Sequence, residues 1–380
     1  MAREWTRIGV TGFGGPPAHV ALLRGLVVER EGWIGAREFE DAYATCGLLP
    51  GPASTQLAIY CALRVAGRPG AVLGGLGFVL PSVVLILLLS VLFLARTPPD
   101  WVRGAGAGAG AAVAAVAVHA GRGLLGPSWR RARAERAREL RWLVWVAAGI
   151  AGAVVVGPYL VVVLLACGLA EVVLRRPRSP SLSALASSIS VPALARTAAA
   201  GVSGGFGALA WTALKVGALS FGGGFVIVPL MQGDAVHSYH WMTNTQFLNA
   251  VALGQVTPGP VVATVAAVGY AAHGLAGGLV AAAIAFAPSF GFVLGGGRAF
   301  LRLRDSARAR AFLDGAGPAA IGAILGSAIA LAGAIQQGWQ AAILAAAALF
   351  LLVLRRGVVA TLLAAGAAGA IVALAGGPLP

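Results

Sequence analysis

From residue 71 to residue 95 the chain runs 25 residues without a charged side chain. About 20 apolar residues, wound as a helix, cross the ~30 Å hydrocarbon layer of a bilayer. The stretch therefore reads as a transmembrane helix, and it is not alone. Residues 104–121, 275–297, 316–335, 339–354 and 358–374 read the same way, and 142–174 is long enough for two short spans parted at Gly157-Pro158. Only 11% of the residues are charged and 58% are hydrophobic, whereas a soluble domain carries about 25% charged residues. The fold class that follows is an all-α polytopic membrane protein. Residues 8–28 are interrupted by Gly14-Gly15-Pro16-Pro17 and Arg24, so they read as mature sequence rather than a secretory leader.

The chain is also written twice. Pro50-Gly51-Pro52 returns 208 residues later as Pro258-Gly259-Pro260, and Phe13-Gly14-Gly15 returns at the same offset as Phe221-Gly222-Gly223. Trp33 and Trp241, Phe39 and Phe247, and Arg7 and Lys215 keep that register. The organisation read from it is a first repeat at 1–174, a cytoplasmic linker at 175–203 rich in Ser, Pro and Arg, and a second repeat at 204–380.

The formal charge is +15, and its placement points to lipid rather than nucleic acid. Seven arginines fall within 122–141, five within 298–310, and Arg175, Arg176 and Arg178 follow an apolar run. Basic clusters beside spans mark cytoplasmic loops, and anionic headgroups add to their hold. With those loops inside, 71–95 runs outward and 275–297 inward, although Pro81-Ser82 and Pro288-Ser289 mark them as equivalent. The repeats are therefore expected to be inverted. Secondary transporters use that architecture to alternate access around a site near the bilayer midplane.

Each repeat interrupts its apolar sequence twice. In Phe13-Gly14-Gly15-Pro16-Pro17 and Phe221-Gly222-Gly223-Gly224, glycine admits φ > 0 and proline removes a donor, so one half-helix should end and another begin. Pro16 and Pro17 suit a first helical turn. A helix start exposes free N–H groups and a partial positive charge, which favours anions. Irregular backbone at membrane depth persists only inside protein or beside a wet cavity. The prolines of Pro50-Gly51-Pro52 and Pro258-Gly259-Pro260 force extended or turned segments.

Gly14, Gly15, Gly222, Gly223 and Gly224 are the candidate amide donors, and Ser54, Thr55, Gln56 and Thr257 the candidate polar ligands. Neutral donors hold a small oxyanion without trapping it. Arg7 and Lys215 are the candidate fixed charges; Lys215 is the chain's single lysine and sits in apolar sequence, where an ionisable group is costly. His19 is a further donor or proton-relay candidate. Glu38, Glu40 and Asp41 read as helix-start acids, while Glu171, Asp234 and Asp314 show no pairing in the sequence. Residues 104–110 alternate Gly and Ala and read as a close-packing stripe. HExxH, GxxxxGK[ST] and GxSxG are all absent. Cys46, Cys61 and Cys167 lack CxxC spacing and read as small buried hydrophobes. No enzyme, metal or cofactor is expected.

These motifs resemble the chromate ion transporter family. The resemblance lies in Phe13-Gly14-Gly15-Pro16-Pro17-Ala18-His19-Val20, in Pro50-Gly51-Pro52-Ala53-Ser54-Thr55-Gln56, in Leu219-Ser220-Phe221-Gly222-Gly223-Gly224 and in Thr257-Pro258-Gly259-Pro260. It implies fused inverted halves in the inner membrane that export chromate and confer resistance to it, with the isosteric dianion sulfate as competitor. The chain is expected to act alone or as a homodimer. A sulfate or molybdate importer and an anion channel remain as rival readings.

Overall fold

The computed structural model describes residues 1–47, 49, 51–95, 97–133, 136–156, 159–175, 204–220 and 224–380. Pro50, Gly222, Gly223 and nearly all of the 175–203 linker lie outside the described residues. The described residues form 14 α-helices and no strand. In the first repeat they are α1 (Ala2–Thr11), α2 (Pro16–Arg24), α3 (Ala36–Cys46), α4 (Ala53–Phe93), α5 (Asp100–Ala132), α6 (Arg136–Ala151) and α7 (Leu160–Leu174). In the second they are α8 (Phe206–Leu219), α9 (Ile227–Gln232), α10 (Asn244–Val256), α11 (Thr264–Asp305), α12 (Ala307–Gly333), α13 (Gly338–Ala348) and α14 (Val358–Leu374). Ala53–Phe93, Asp100–Arg130, Ala137–Val156, Val261–Gly296 and Ala307–Gly333 are each long and apolar enough to cross a membrane. The chain is a multi-pass membrane protein.

A straight helix of 41 residues, the extent of α4, would be about 60 Å long, twice the hydrocarbon layer. α4 is not straight. Ala66 and Gly67 leave helical geometry, Gly67 at φ +64°, and the chain folds back so that Gly74 packs on Ala62 and Gly75 on Ile59. Residues twelve apart on one straight helix stand about 18 Å apart, so this contact requires a hairpin with a short arm at 53–65 and a long arm at 68–93. α11 repeats the device. Gly274 also sits at φ +64°, and the backbones of Gly269 and Gly277 meet across the turn. The short arms are the buried centre of the molecule. The long arms turn Leu73, Leu80, Val84 and Leu88, and Leu275 and Leu279, outward, as lipid-facing surfaces do.

The repeats interlock. α1 packs on α4 as α8 packs on α11, and the two hairpins pack on each other. Beyond them the repeats exchange helices: α5 is flanked by α13 and α14, whereas α12 is flanked by α6 and α7. Small residues make the exchange possible. Gly104 and Gly108 sit directly on the backbone of Ala365 and Gly369, and Gly149 on that of Ala319, the close approach that small-residue stripes permit. A π-helical turn follows α2 at Gly25–Arg30 and α9 at Gly233–Ser238, 208 residues apart.

Two expectations need correction. The basic stretch 122–141 is mostly helix rather than loop, because α5 continues to Ala132 and α6 starts at Arg136. Trp142 Nε1 donates to Ser128 Oγ at 2.9 Å and meets Trp129 edge-on at 4.8 Å, which holds the two helix ends together. The apolar-region acids do have partners. Glu171 accepts from Arg141 at 3.0 Å and Arg175 at 2.7 Å, and Arg175 reaches Asp314 of α12 at 2.8 Å, tying α7 to the other repeat.

Candidate functional site

Between α1 and α2, Gly14 (φ +100°) and Gly15 (φ +73°) turn the chain, and Pro16 and Pro17 open the next helix. A left-handed φ is open to glycine and costs other residues about 1–2 kcal/mol. Gly224 (φ +89°) marks the described end of the second break and packs on Val261.

The Pro-Gly-Pro corners lie in the same centre, each held by the opposite repeat. Gly51 and Gly259 adopt φ +116° and +102°. The point where a Cβ of Gly51 would sit is 3.3 Å from the Gly217 carbonyl and 3.3 Å from Ser289 Oγ. For Gly259 the neighbours are Ser82 Oγ at 2.9 Å and the Gly9 carbonyl at 3.6 Å. Residues 217 and 9, and 289 and 82, are repeat equivalents, so the contacts are reciprocal. Reciprocity of this kind is the mark of two-fold packing.

A hydrogen-bond chain joins the corners. The Gly259 amide donates to the Gly12 carbonyl at 3.1 Å, and His19 Nε2 lies 2.9 Å from the same oxygen. A carbonyl can only accept, so His19 carries its proton on Nε2, and Nδ1 then accepts from Ser54 Oγ at 3.3 Å. His19 is fully buried and meets Phe78 edge-on. It belongs to the structure that links the two breaks.

The buried hydroxyls divide sharply. Thr257 donates to the Leu253 carbonyl at 2.9 Å, Thr264 to Val261 at 2.7 Å and Ser82 to Val79 at 2.8 Å. Ser54 is engaged with His19. By contrast Thr55, Ser220 and Ser289, each at most 1% exposed, have hydroxyls with no hydrogen-bond partner among the described residues, as does the equally buried Ser90 in the long arm of α4. Gln56 is buried too, its amide nitrogen 2.7 Å from the point that a Gly51 Cβ would occupy. α4 starts after Pro52 without a side-chain cap, so its first turn offers N–H groups to whatever enters.

The repeat-equivalent cations end differently. Lys215 is 8% exposed and forms an ion pair with Asp234 at 2.5 Å, with Thr212 donating to the same carboxylate at 2.7 Å and the Trp211 ring 5.7 Å from the ammonium. Its charge is compensated. Arg7 has a 66% exposed side chain with Glu4 at 3.9 Å. The structure does not bring these two cations together. No group of three His, Cys, Asp or Glu suited to a metal occurs among the described residues.

Membrane-length helices, two interlocked repeats and paired backbone breaks at their shared centre define a duplicated multi-pass membrane protein. The chain matches the chromate transporter family over residues 1–172 and 207–370, and it belongs to that family. It is 32% identical to the chromate transport protein of Cupriavidus metallidurans over 87% of this chain and 82% of that protein. It is 33% identical to the chromate transport protein of Pseudomonas aeruginosa (87% and 80%), and 29% identical to a probable chromate transport protein of Synechococcus elongatus (87% and 84%). No solved structure matches the chain. The family is one of transporters rather than enzymes.

Sequence reasoning passed over Gly12, noted Asp234 only as an acid without a visible partner, and gave Ser82 and Ser289 no role at the site. Only Ser82 and Ser289 carried a signal, as the residues after the equivalent prolines Pro81 and Pro288.

Proposed function

We propose that the protein is a secondary transporter that exports chromate across the cytoplasmic membrane, confers chromate resistance and accepts sulfate as a competitor. The observation that carries this reading is the reciprocal docking of the two Pro-Gly-Pro corners at the buried centre, beside an uncapped helix start and partnerless hydroxyls, in a member of the chromate transporter family. A buried polar centre between interlocked repeats is where a small dianion finds neutral donors. Ser54, Thr55, Gln56 and the glycine-rich breaks supply the polar surroundings, Thr257 shapes the second corner, and Arg7 contributes positive field. Lys215 serves chiefly as the counter-ion of Asp234.

The repeats are taken as inverted, from the basic clusters that flank their spans and the two-fold packing of their corners. Alternating access then amounts to one repeat moving against the other around the corners. Uptake of labelled chromate into inverted vesicles tests this. Uptake that is driven by an imposed gradient and reduced by excess sulfate supports export. Accumulation only in right-side-out vesicles points to an importer, and flux indifferent to a gradient points to a channel.

A further inference from the structure

We propose that Ser220 and Ser289 bind the transported oxyanion and that, with Thr55, they make a one-sided cradle at the Gly51 corner, while the Gly259 corner is structural. This inference rests on the reading of the chain as an oxyanion transporter. Buried hydroxyls without partners are unusual, because an unpaired polar group inside protein carries a desolvation penalty. Of the four among the described residues, Ser289 touches the Gly51 corner, Thr55 and Ser220 lie within a few residues of groups that do, and Ser90 stands apart in the long arm of α4. Ser289 Oγ lies 3.3 Å from the point a Gly51 Cβ would occupy. Ser220 follows the last residue of α8, three residues after Gly217, whose carbonyl is also 3.3 Å from that point. Thr55 lies in the first turn of α4, directly after the corner.

The repeat offers its own control. Ser82 is the equivalent of Ser289 and lies against Gly259 just as closely, yet its proton goes to the Val79 carbonyl. Gly12 is the equivalent of Ser220 and has no hydroxyl; its carbonyl is already filled by the Gly259 amide and His19. Ala263 replaces Thr55, and Thr264, in the place of Gln56, donates to Val261. The hydroxyls around the second corner are thus engaged and those of the first are not, although Gln255 Nε2, just ahead of Thr257, also lacks a partner among the described residues. A tetrahedral dianion has four oxygens that accept and none that donates. Three free hydroxyls and an uncapped helix start supply donors of that kind. The cradle draws two of its three hydroxyls from the second repeat, so it is complete only while the repeats are docked.

The test is initial-rate chromate uptake by purified protein in proteoliposomes, across a range of chromate concentrations, with thermal unfolding in detergent measured alongside. Ser289→Ala and Ser220→Ala should each raise KM about tenfold, the size expected for one hydrogen bond to a charged group, with kcat little changed. Neither should lower the unfolding temperature, because each removes an unpaired buried hydroxyl. Ser82→Ala should leave KM unchanged. Chromate-induced thermal stabilisation, measured without transport, should weaken in the first two variants and persist in the third. Wild-type KM in Ser289→Ala and Ser220→Ala overturns the cradle while transport itself stands, and an equal KM rise in Ser82→Ala overturns its one-sidedness. A wild-type protein that carries no chromate overturns the transport reading instead, and the cradle falls with it.

Discussion

The first repeat places polar side chains where the second has mostly apolar ones. His19, Ser54, Thr55 and Gln56 are answered, 208 residues on, by Ile227, Val262, Ala263 and Thr264. The second repeat instead buries Lys215, Asp234 and Thr212 where the first has Arg7, Leu26 and Glu4. What the copies share is backbone: left-handed glycines at 51 and 259 and at 67 and 274, and a π-turn after the second helix of each. Two-fold packing demands the same backbone from both copies, so neither can lose its glycines. Side-chain chemistry faces no such demand, and the copies have divided it.

The ion pair is where breaking this division has the largest effect. Lys215→Ala leaves the Asp234 carboxylate buried without its counter-ion, at a cost of about 3–5 kcal/mol. The expected result is a large fall in the unfolding temperature of detergent-purified protein and a loss of material from the membrane fraction. Lys215→Met combined with Asp234→Leu removes both charges and should recover most of that stability. Transport that returns with the fold makes Lys215 a structural cation. A recovered fold without transport assigns its charge to the substrate.

The glycine corners come next. Both Gly51→Ala and Gly259→Ala carry the left-handed penalty of about 1–2 kcal/mol, but their neighbours differ. At Gly259 the new methyl meets Ser82 Cβ at 2.7 Å, an atom fixed to the α4 backbone. At Gly51 its closest neighbour is the Gln56 amide nitrogen at 2.7 Å, the far end of a flexible side chain. Gly259→Ala should therefore destabilise the fold more, by roughly 1–3 kcal/mol of overpacking on top of the φ strain. Gly51→Ala should keep more stability and lose more transport, since it fills the space beside Ser289. Unfolding temperature and vesicle uptake, measured on both variants, separate the two outcomes.

These contrasts also mark how far the sequence could be read. The all-helical membrane class, the repeat register and the apolar helix at 358–374, whose bounds match α14 residue for residue, followed from apolar run length and spacing. The folding back of α4 did not. Its signal is the short run Gly67-Arg68-Pro69-Gly70, and the apolar pattern on either side reports helix without saying whether two arms touch. The exchange of helices between repeats was equally silent, because small-residue stripes announce close packing and not the partner. Lys215 was visible as an anomaly in apolar sequence, but Asp234, 19 residues away and beyond a break, could not be matched to it before the fold was known. Ser220 and Ser289 look like ordinary helix serines until their surroundings show nothing to bond.

His19 sharpens the comparison at intermediate size. His19→Phe keeps the ring against Phe78 and removes both hydrogen bonds, leaving the Gly12 carbonyl with the Gly259 amide alone. About 1–2 kcal/mol of stability should go, the scale of one or two neutral hydrogen bonds. Transport should fall several-fold further than that loss explains, because the link between corners is cut. Equal losses in stability and uptake would reduce His19 to packing.

The smallest effect is expected at Arg7, the exposed equivalent of Lys215. With a 66% exposed side chain and a 3.9 Å ion pair, Arg7→Ala should change stability by no more than about 0.5 kcal/mol. Any contribution to transport then acts through the field that draws an anion inward, and such steering weakens as salt shortens the Debye length from about 10 Å at 0.1 M to 3 Å at 1 M. Chromate KM in the variant should be raised about twofold at low ionic strength and match the parent at high ionic strength. A difference that persists in high salt would mean direct contact with the substrate, which would make the first repeat's cation a ligand and place both poles of the site, charge and hydroxyl, around the same corner.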